Sequence, residues 1–399
     1  MNAIKLVRVF IALSLMLAIS PSSAHGEAPA KFSFTGSGYG HGVGMSQIGA
    51  KARAMAGESA TAILNYYYKD VVIAPIIDSQ TIRVNIGKTL KDFSVVGANA
   101  TTSIQIFAGD LPLGSPAIPA LTVLAKQRAN FLFEDKHIVI GTLKSKALTI
   151  RWVGSNPLIS LTQAGVTDRY KYGQIQVKVI KGALEVTNSL SLHDEYLWGI
   201  SEVSSAWPSA VLEAQAIAAR SYALSKISTV KPSCDCHVYS HIADQNFVGF
   251  SKEAEPKIGK LWKAAVTRTN IDTFTSLAIL SKGKPIQAYY SSSSGGATQT
   301  TLDAWGTATP YTQSVADPAS IDPKKNPRFA KWNASADQAV VATAFLLPDI
   351  ITLEIMSRNT AGAVTYIKGT SSNGSTKLLR GDTFRSRVKI PSPYFSLSN

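Results

Sequence analysis

Alternating apolar and polar positions characterise one long stretch of the chain, from about residue 81 to residue 191. β-Branched residues are frequent there, and the short alternating runs are bounded by Gly, Asp, Asn and Pro, which is typical of strands joined by turns. The pattern predicts strands at Thr81–Ile86, Ser103–Phe107, Ala120–Leu124, Ile138–Ile140, Leu148–Val153, Gln174–Val179 and Ala183–Asn188. We therefore expect a β-rich lobe in this part of the chain.

Helical periodicity occurs on both sides of this stretch. Before it, the pattern predicts one helix over about Ser46–Met55 and a second over Ser59–Tyr68. After it, residues 205–228 form the strongest helical segment, with Pro208 expected in the first turn and four alanines that allow close packing in a core. Further on, apolar residues 277–280 and 286–290, separated by a Ser-Lys-Gly-Lys turn, predict a hairpin.

The first 24 residues have the three parts of a secretory signal peptide. Lys5 and Arg8 are followed by an apolar run over 9–19 and by small residues at 22–24. The run is shorter than the ~20 apolar residues that a membrane-spanning helix needs, and no cysteine follows it for a lipid anchor. We expect a secreted or cell-envelope protein without a stable membrane anchor; a buried N-terminal strand or helix is the alternative.

Composition and charge narrow the choice of partner. Of the 399 residues, 45% are hydrophobic and 17% are charged, which allows a buried core and excludes wholesale disorder. Forty Lys and Arg against 26 Asp and Glu give a net charge of +14, which suits a polyanionic partner. For an exported protein, an acidic envelope polymer fits better than nucleic acid, and we expect no nucleic-acid partner. Two cysteines are too few for a fold held by a disulfide framework.

A glycine-dense loop over 36–44 precedes the first predicted helix. It lacks the spacing of the dinucleotide-binding and P-loop motifs. Its backbone is free to approach a ligand closely, and it presents His41 beside a helix that begins near Ser46, an end that favours anions. Ordinary flexibility of a glycine-rich loop is the alternative.

Glu202 is a candidate general acid. It lies among apolar residues, including Ile200, Val203 and Trp207, immediately before the alanine-rich helix. Apolar surroundings raise the pKa of a carboxyl group toward the range of a general acid. A solvated surface glutamate is the alternative, and the acidic pair at 194–195 better fits a helix or turn start.

Both cysteines and two histidines fall within eight residues of one polar loop, at Cys234, Cys236, His237 and His241. Thiolates and imidazoles are ligands that zinc prefers, so this loop is predicted to bind zinc, although the spacing matches no common zinc finger. A disulfide between cysteines two residues apart closes a small, disfavoured ring. That disulfide and free thiols are the alternatives.

Two long blocks resemble the signatures of the SpoIID/LytB family, which contains stage II sporulation protein D and amidase-enhancer relatives. They are YLWGISEVSSAWPSAVLEAQAIAARSYAL at 196–224 and GSGYGHGVGMSQIGAKARAMAGESATAILNYYY at 36–68. Shorter blocks at 243–250, 289–306 and 380–397 agree as well. The resemblance implies an α+β fold, in which a SpoIID-like core of helices and antiparallel strands carries a β-rich accessory lobe.

The order of the blocks differs from that of the family. The GHGVGMSQ block usually stands near the C-terminus, so the chain resembles a circularly permuted member opened before Lys31; Val203-Ser204 also replaces the usual Met-Pro. The implied organisation is a signal peptide at 1–24, the GHGVGMSQ block of the core at 25–80, the β-rich lobe at 81–190 and the remainder of the core at 191–399. The permuted order places strand 32–34 beside the strand near 394–397, and the GHGVGMSQ block beside Glu202.

The resemblance also implies a function. Sporulation members are lytic transglycosylases that cleave MurNAc-GlcNAc bonds of peptidoglycan glycan strands with one glutamate and leave 1,6-anhydro-MurNAc ends; by position that glutamate is Glu202. The substrate-binding residues implied with it are His41, Ser46, Gln47, Gln215, Arg220, Tyr290 and Ser293. Some members hold structural zinc in the loop after the catalytic helix, which strengthens the zinc prediction. The alternatives are a non-catalytic enhancer of a cell-wall amidase and a glycan-binding module without turnover.

Overall fold

A computed structural model of the chain describes residues 28–398. The predicted signal peptide at 1–24 and the last residue, Asn399, lie outside the described residues. In the described part, helices and many antiparallel strands in several sheets form an α+β fold, as the resemblance implied. None of the helices in this part is long and apolar enough to cross a membrane.

The described residues contain strands and helices that we number in chain order. The strands are β1 (Lys31–Gly36), β2 (Met45–Ser46), β3 (Val72–Ile77), β4 (Thr81–Leu90), β5 (Asp92–Gly97), β6 (Ser103–Ala108), β7 (Leu121–Val123), β8 (Arg128–Glu134), β9 (His137–Ile140), β10 (Leu143–Ser145), β11 (Ala147–Val153), β12 (Ile159–Gln163), β13 (Val166–Tyr170), β14 (Gln174–Ile180), β15 (Ala183–Ser191), β16 (Val238–Tyr239), β17 (Thr275–Ser281), β18 (Lys284–Pro285), β19 (Tyr290–Ser291), β20 (Trp332–Asp337), β21 (Thr352–Arg358), β22 (Val364–Thr370), β23 (Thr376–Arg380) and β24 (Phe395–Ser398). The α-helices are α1 (Gln47–Met55), α2 (Ala60–Tyr67), α3 (Ser209–Lys226), α4 (Phe250–Glu253), α5 (Gly259–Arg268), α6 (Thr301–Trp305), α7 (Gln338–Phe345) and α8 (Gly381–Val388). A π-helical turn covers Leu192–Tyr196 and a 3₁₀ turn covers Pro318–Ile321.

The β-rich stretch folds into two sheets that share one hydrophobic cluster. The seven-stranded sheet has the order β16-β4-β15-β14-β11-β6-β7, in which β16 runs parallel to β4 and the other pairs are antiparallel. The six-stranded sheet has the order β10-β9-β8-β5-β12-β13. Phe93 and Phe131 of the six-stranded sheet belong to the same cluster as Ile104 and Ile150 of the other. The cluster also includes alanines of α3, so this lobe packs directly on the helical part.

The seven strands predicted in this stretch are confirmed as β4, β6, β7, β9, β11, β14 and β15. Five further strands, β5, β8, β10, β12 and β13, are present without having been predicted, and all five lie in the six-stranded sheet. Their alternation depends on few buried apolar residues, such as Ala129 and Phe131 in β8, between exposed polar positions. Such short patterns are weak signals of strand structure.

Helix α3 is the centre of the helical part. Its alanines at 214, 216, 218 and 219 are fully buried, and α1, α2, α5 and β17 pack around it. The predicted helices are confirmed as α1, α2 and α3, and the side chains of Ser46 and Ser59 cap α1 and α2 by accepting hydrogen bonds from Gly49 N and Ala62 N. Helix α3 begins at Ser209, so Pro208 lies immediately before its first residue and not in the first turn, where it had been expected.

The predicted hairpin forms only in part. β17 pairs with β18 through Leu280 and Ser281. The returning chain then leaves β17, and β19 pairs in parallel with β2. This two-residue pairing connects the GHGVGMSQ block to the segment that follows the hairpin.

The first and last described strands are neighbours. β1 is the central strand of the sheet β20-β1-β24, and Ser33 pairs with Ser398 while Gly36 pairs with Phe395. This arrangement confirms the placement of strand 32–34 that the permuted order predicted. A second hydrophobic cluster, which includes Phe34, packs α7, α8 and the sheet β21-β22-β23 against these strands.

Candidate functional site

The backbone around Glu202 is fixed by an antiparallel contact with the segment that follows β16. Ser201 N donates to Asn246 O at 2.8 Å, and Val248 N donates to Gly199 O at 2.8 Å. The side chain of Asn246 also donates to Ser201 O at 2.7 Å. The backbone immediately before Glu202 is therefore fixed by these hydrogen bonds.

Two donors hold one oxygen of the Glu202 carboxyl group. The backbone N–H of Asn246 donates to Oε1 at 2.7 Å, and the hydroxyl of Tyr290 donates to the same atom at 3.1 Å. Within residues 28–398, both hydrogen bonds of this carboxyl group go to Oε1. The side chain is only partly buried, so Oε2 is the oxygen available to a substrate.

The environment of Glu202 favours its protonated form. Burial raises the pKa of Glu202 above its ordinary value, and the hydrogen bonds from Asn246 and Tyr290 oppose this by stabilising the charged form. Burial is the larger of these influences. The direction agrees with the expectation from the apolar sequence around this residue.

Asp244, the aspartate nearest in sequence to Asn246, accepts three hydrogen bonds within the protein. Asp244 accepts hydrogen bonds from Tyr222 OH at 2.8 Å, from Lys231 Nζ at 2.8 Å and from Tyr239 N at 2.9 Å. A carboxylate so constrained is poorly suited to exchange a proton with a substrate. Glu202 is thus the carboxyl group of this neighbourhood that is suited to acid–base chemistry.

Tyr290 connects Glu202 to the GHGVGMSQ block. Its strand, β19, pairs with β2, and Met45 N donates to Tyr289 O at 3.0 Å. The ring of His41 lies 5.2 Å from the ring of Trp305 and 6.3 Å from that of Tyr289, measured between centroids. The structure therefore brings His41 and β2 next to the strand that carries the tyrosine of the site, although about 250 residues separate them in sequence.

His41, which was predicted to bind substrate, is held by contacts within the protein. Its Nδ1 accepts a hydrogen bond from Val43 N at 3.0 Å. Burial lowers the pKa of His41 to about 4, with Asp382 opposing and Arg385 reinforcing the shift. The ring is therefore neutral near pH 7.

The glycine loop packs closely against other parts of its own chain. A Cβ on Gly44 would lie 2.0 Å from Tyr289 O, and one on Gly42 would lie 2.5 Å from the hydroxyl oxygen of Tyr394. Both glycines also have φ of +71°, in the left-handed region. The glycines are thus required for close packing of this loop against β19 and the C-terminal segment.

Ser46, Gln47 and Gln215 are buried, where substrate contacts had been expected. Ser46 caps α1 and contacts the hydroxyl of Ser320 at 3.1 Å. Gln47 Nε2 donates to Gln215 Oε1 at 3.2 Å, which joins α1 to α3. In this structure these three side chains are buried and contact other buried groups of the protein.

Ser293 and Arg220 are also structural in this arrangement. Ser293 is fully buried and accepts a hydrogen bond from Asn326 Nδ2 at 3.2 Å. Arg220 is fully buried as well, with its Nε 2.8 Å from Asp78 Oδ2 and further hydrogen bonds to Thr269 and Asn270. Neither side chain reaches a surface from which a glycan could be contacted.

Of the residues expected to bind substrate, Tyr290 is the one that contacts Glu202 directly. Sequence reasoning missed Asn246 and its neighbour Gln245, which lie in the block ADQNFVGF at 243–250. That block was recognised as part of the resemblance, but nothing in its sequence indicated that a backbone N–H would be the functional group. The burial of Gln245, which makes its amide require partners, is visible only in the structure.

The predicted zinc loop has a different arrangement. Cys234 and Cys236 are joined in a disulfide, so the sulfurs are not the thiolates that zinc binds. His237 Nδ1 accepts from Arg83 N at 2.9 Å, and His241 is exposed. Across residues 28–398, no three His, Cys, Asp or Glu side chains converge to hold a metal ion. The loop as described does not fit zinc, and zinc content stays a prediction that elemental analysis of the purified protein tests.

The fold and site define a class of protein: an α+β chain with a single partly buried glutamate before a buried, alanine-rich helix. Residues 181–275 match the family model SpoIID, described as stage II sporulation protein. The matched segment contains Glu202, α3 and Asn246, whereas Tyr290 and the GHGVGMSQ block lie outside it.

An uncharacterized protein of Brachyspira hyodysenteriae is also similar to this chain. The two are 32% identical over 146 residues, which is 36% of this chain and 37% of the relative. The SpoIID match at 181–275 supports a cell-wall-related function, since the SpoIID family is linked to cell-wall degradation.

Proposed function

We propose that this protein is a peptidoglycan lytic transglycosylase that uses Glu202 as its single general acid and base. The observation that carries the proposal is the placement of this carboxyl group. It is partly buried, Asn246 N and Tyr290 OH hold its Oε1, and burial raises its pKa. A carboxyl group with a raised pKa keeps its proton to higher pH and can give it to a leaving oxygen.

The proposed reaction needs one carboxyl group. Glu202 donates its proton to the bridging oxygen while the bond between that oxygen and C1 of the muramic acid breaks. The resulting carboxylate takes the proton of the C6 hydroxyl of the same sugar, and the C6 oxygen forms a new bond to C1. The products are a 1,6-anhydro-muramic acid end and a free GlcNAc hydroxyl, and Glu202 is protonated again. No water is consumed, so this reaction does not need the second carboxylate that a hydrolytic glycosidase uses as nucleophile or to activate water.

The proposed location and partners follow from charge and export. The N-terminal segment would direct the chain to the cell envelope or the exterior. The net charge of +14 favours association with an acidic wall polymer. Peptidoglycan glycan strands are the proposed substrate, and a cell-wall amidase is a proposed partner.

The decisive experiment compares Glu202 with Glu195, because burial raises the pKa of both carboxyl groups. Glu202→Gln keeps the shape of the side chain but cannot exchange the proton, so we expect release of anhydromuramyl products to fall by about 10²–10⁴-fold. Glu195→Gln is the matched control, because burial raises the pKa of Glu195 as well but its carboxyl group binds Ser191 N. Products are quantified by chromatography and mass spectrometry of digested glycan strands.

Cleavage by Glu202→Gln at the wild-type rate would overturn the proposal. Absence of cleavage by the wild-type protein, together with stimulation of a purified cell-wall amidase, would favour the enhancer. Binding of glycan strands without either activity would favour a binding module.

A further inference from the structure

A chain of hydrogen bonds runs from the core to Glu202. Tyr196 OH donates to Gln245 Oε1 at 2.7 Å, and Gln245 Nε2 lies 2.9 Å from Tyr290 OH. Tyr290 OH in turn lies 3.1 Å from Glu202 Oε1. Tyr196 and Gln245 are both fully buried, so solvent does not compete with these contacts.

The direction of every bond in this chain is fixed by one backbone carbonyl. Gln245 Nε2 also lies 3.4 Å from Ala219 O, which can only accept, so the atom facing it must be the amide nitrogen. The other amide atom is then the oxygen, and it accepts from Tyr196. The second N–H of Gln245 therefore points at the oxygen of Tyr290, and the single hydroxyl hydrogen of Tyr290 is left for Glu202.

This directionality distinguishes the two oxygens of Glu202. Oε1 accepts hydrogen bonds from Tyr290 OH and from Asn246 N. A proton on Oε1 would be repelled by the hydrogens of these two donors. We infer that Gln245 is a positioning residue that turns the Tyr290 hydroxyl toward Glu202 Oε1 and thereby assigns proton transfer to Oε2. The inference rests on the proposed function, in which Glu202 gives and takes the proton.

The two tyrosines are suited to this task because they stay protonated. Burial raises the pKa of Tyr290 and that of Tyr196 well above the ordinary value, and the nearby Glu202 raises both further. Neither phenol gives up its proton in the range where Glu202 titrates. The chain is therefore a fixed set of donors and not a path for protons.

Variants along the chain make distinct predictions for the pKa of Glu202. Tyr290→Phe removes a donor that stabilises the carboxylate, so the pKa of Glu202 should rise by about one unit. Gln245→Met keeps the length of the side chain and removes the amide, so the pKa should rise by less. Because Gln245 acts through Tyr290, Gln245→Met should add no rise in the Tyr290→Phe background. Tyr172→Phe is the matched control, since it removes a hydroxyl that donates to a different glutamate, Glu253, at 2.6 Å.

The pKa is measured directly by ¹³C NMR titration of protein labelled at the glutamate carboxyl carbons, and the Glu202 signal is identified by its loss in Glu202→Gln. This measurement needs no turnover, so it separates failure of the inference from failure of the proposed function. The pH profile of cleavage gives a second reading: its alkaline limb should move to higher pH in Tyr290→Phe, because the acid must be protonated to act.

Two outcomes overturn the inference. One is an unchanged Glu202 pKa in Tyr290→Phe. The other is a shift by Gln245→Met that persists in the Tyr290→Phe background. If Gln245→Met does not fold, Gln245→Asn, whose shorter amide does not reach Tyr290, replaces it with the same expected result.

Discussion

Two regions flank the Tyr290–Glu202 contact, and they differ in the direction in which their polar groups point. In the region that contains α3 and the segment after β16, polar groups are turned toward Glu202, whose carboxyl group remains partly exposed. In the region formed by the GHGVGMSQ block and the serines after β19, polar groups are turned toward one another and are buried. Ser46, Gln47 and Ser293 are examples, each at most 6% exposed. Polar side chains within a signature therefore do not by themselves identify ligands of the substrate.

The second region contributes to the site through its backbone. The pairing of β2 with β19, with the hydrogen bond from Met45 N to Tyr289 O, fixes the strand from which the Tyr290 hydroxyl reaches Glu202. The comparison predicts that changes in this region act on stability and on the position of Tyr290, whereas changes at Glu202 act on chemistry. Variants in each region test whether effects on stability and effects on chemistry separate in this way.

The largest stability effect is expected at Arg220, a residue first taken for a substrate ligand. Arg220→Met leaves Asp78 buried without its cation, so the free energy of unfolding should fall by about 3–5 kcal/mol. Arg268→Met is the control, because the Arg268–Glu213 pair is exposed and should contribute at most about 1 kcal/mol. Denaturant unfolding of both variants measures the difference. A stably folded Arg220→Met protein with weakened binding of glycan strands would instead restore the ligand role.

Gly44 tests whether the loop is shaped by packing. Gly44→Ala places a methyl group against Tyr289 O and requires a positive φ, so we expect a loss of about 2–4 kcal/mol of unfolding free energy. Gly57→Ala requires a positive φ too, but nothing lies within 4 Å of its Cβ, so it should cost only about 1–2 kcal/mol. Unfolding midpoints decide between them, and equal losses would show that the contact with Tyr289 is unimportant.

The sequence predicted the elements of this fold better than their contacts. The seven confirmed strands and α1, α2 and α3 are elements whose own residues alternate or repeat over a sufficient length. The pairing of β2 with β19 spans two residues in each strand and about 245 positions of sequence, so no local pattern signals it. Glu202 was identifiable from its apolar neighbours and from the resemblance, but the Gln245 amide became interpretable only when its buried partners were visible.

The last prediction concerns the pH dependence of stability at His41. Burial lowers the pKa of His41 to about 4 in the folded protein, while the unfolded chain has the ordinary value near 6.5. Between these values the unfolded state binds more protons, so stability should decrease as the pH falls from about 6.5 toward 4, by less than about 1.4 kcal/mol per pH unit. His41→Asn should be less stable near pH 7, because it loses the ring contacts, and should show a shallower dependence on pH. His241→Asn, at an exposed histidine, should keep the wild-type slope. Denaturant midpoints between pH 7 and 4.5 measure these slopes, and a wild-type slope in His41→Asn would assign the acid sensitivity to another group.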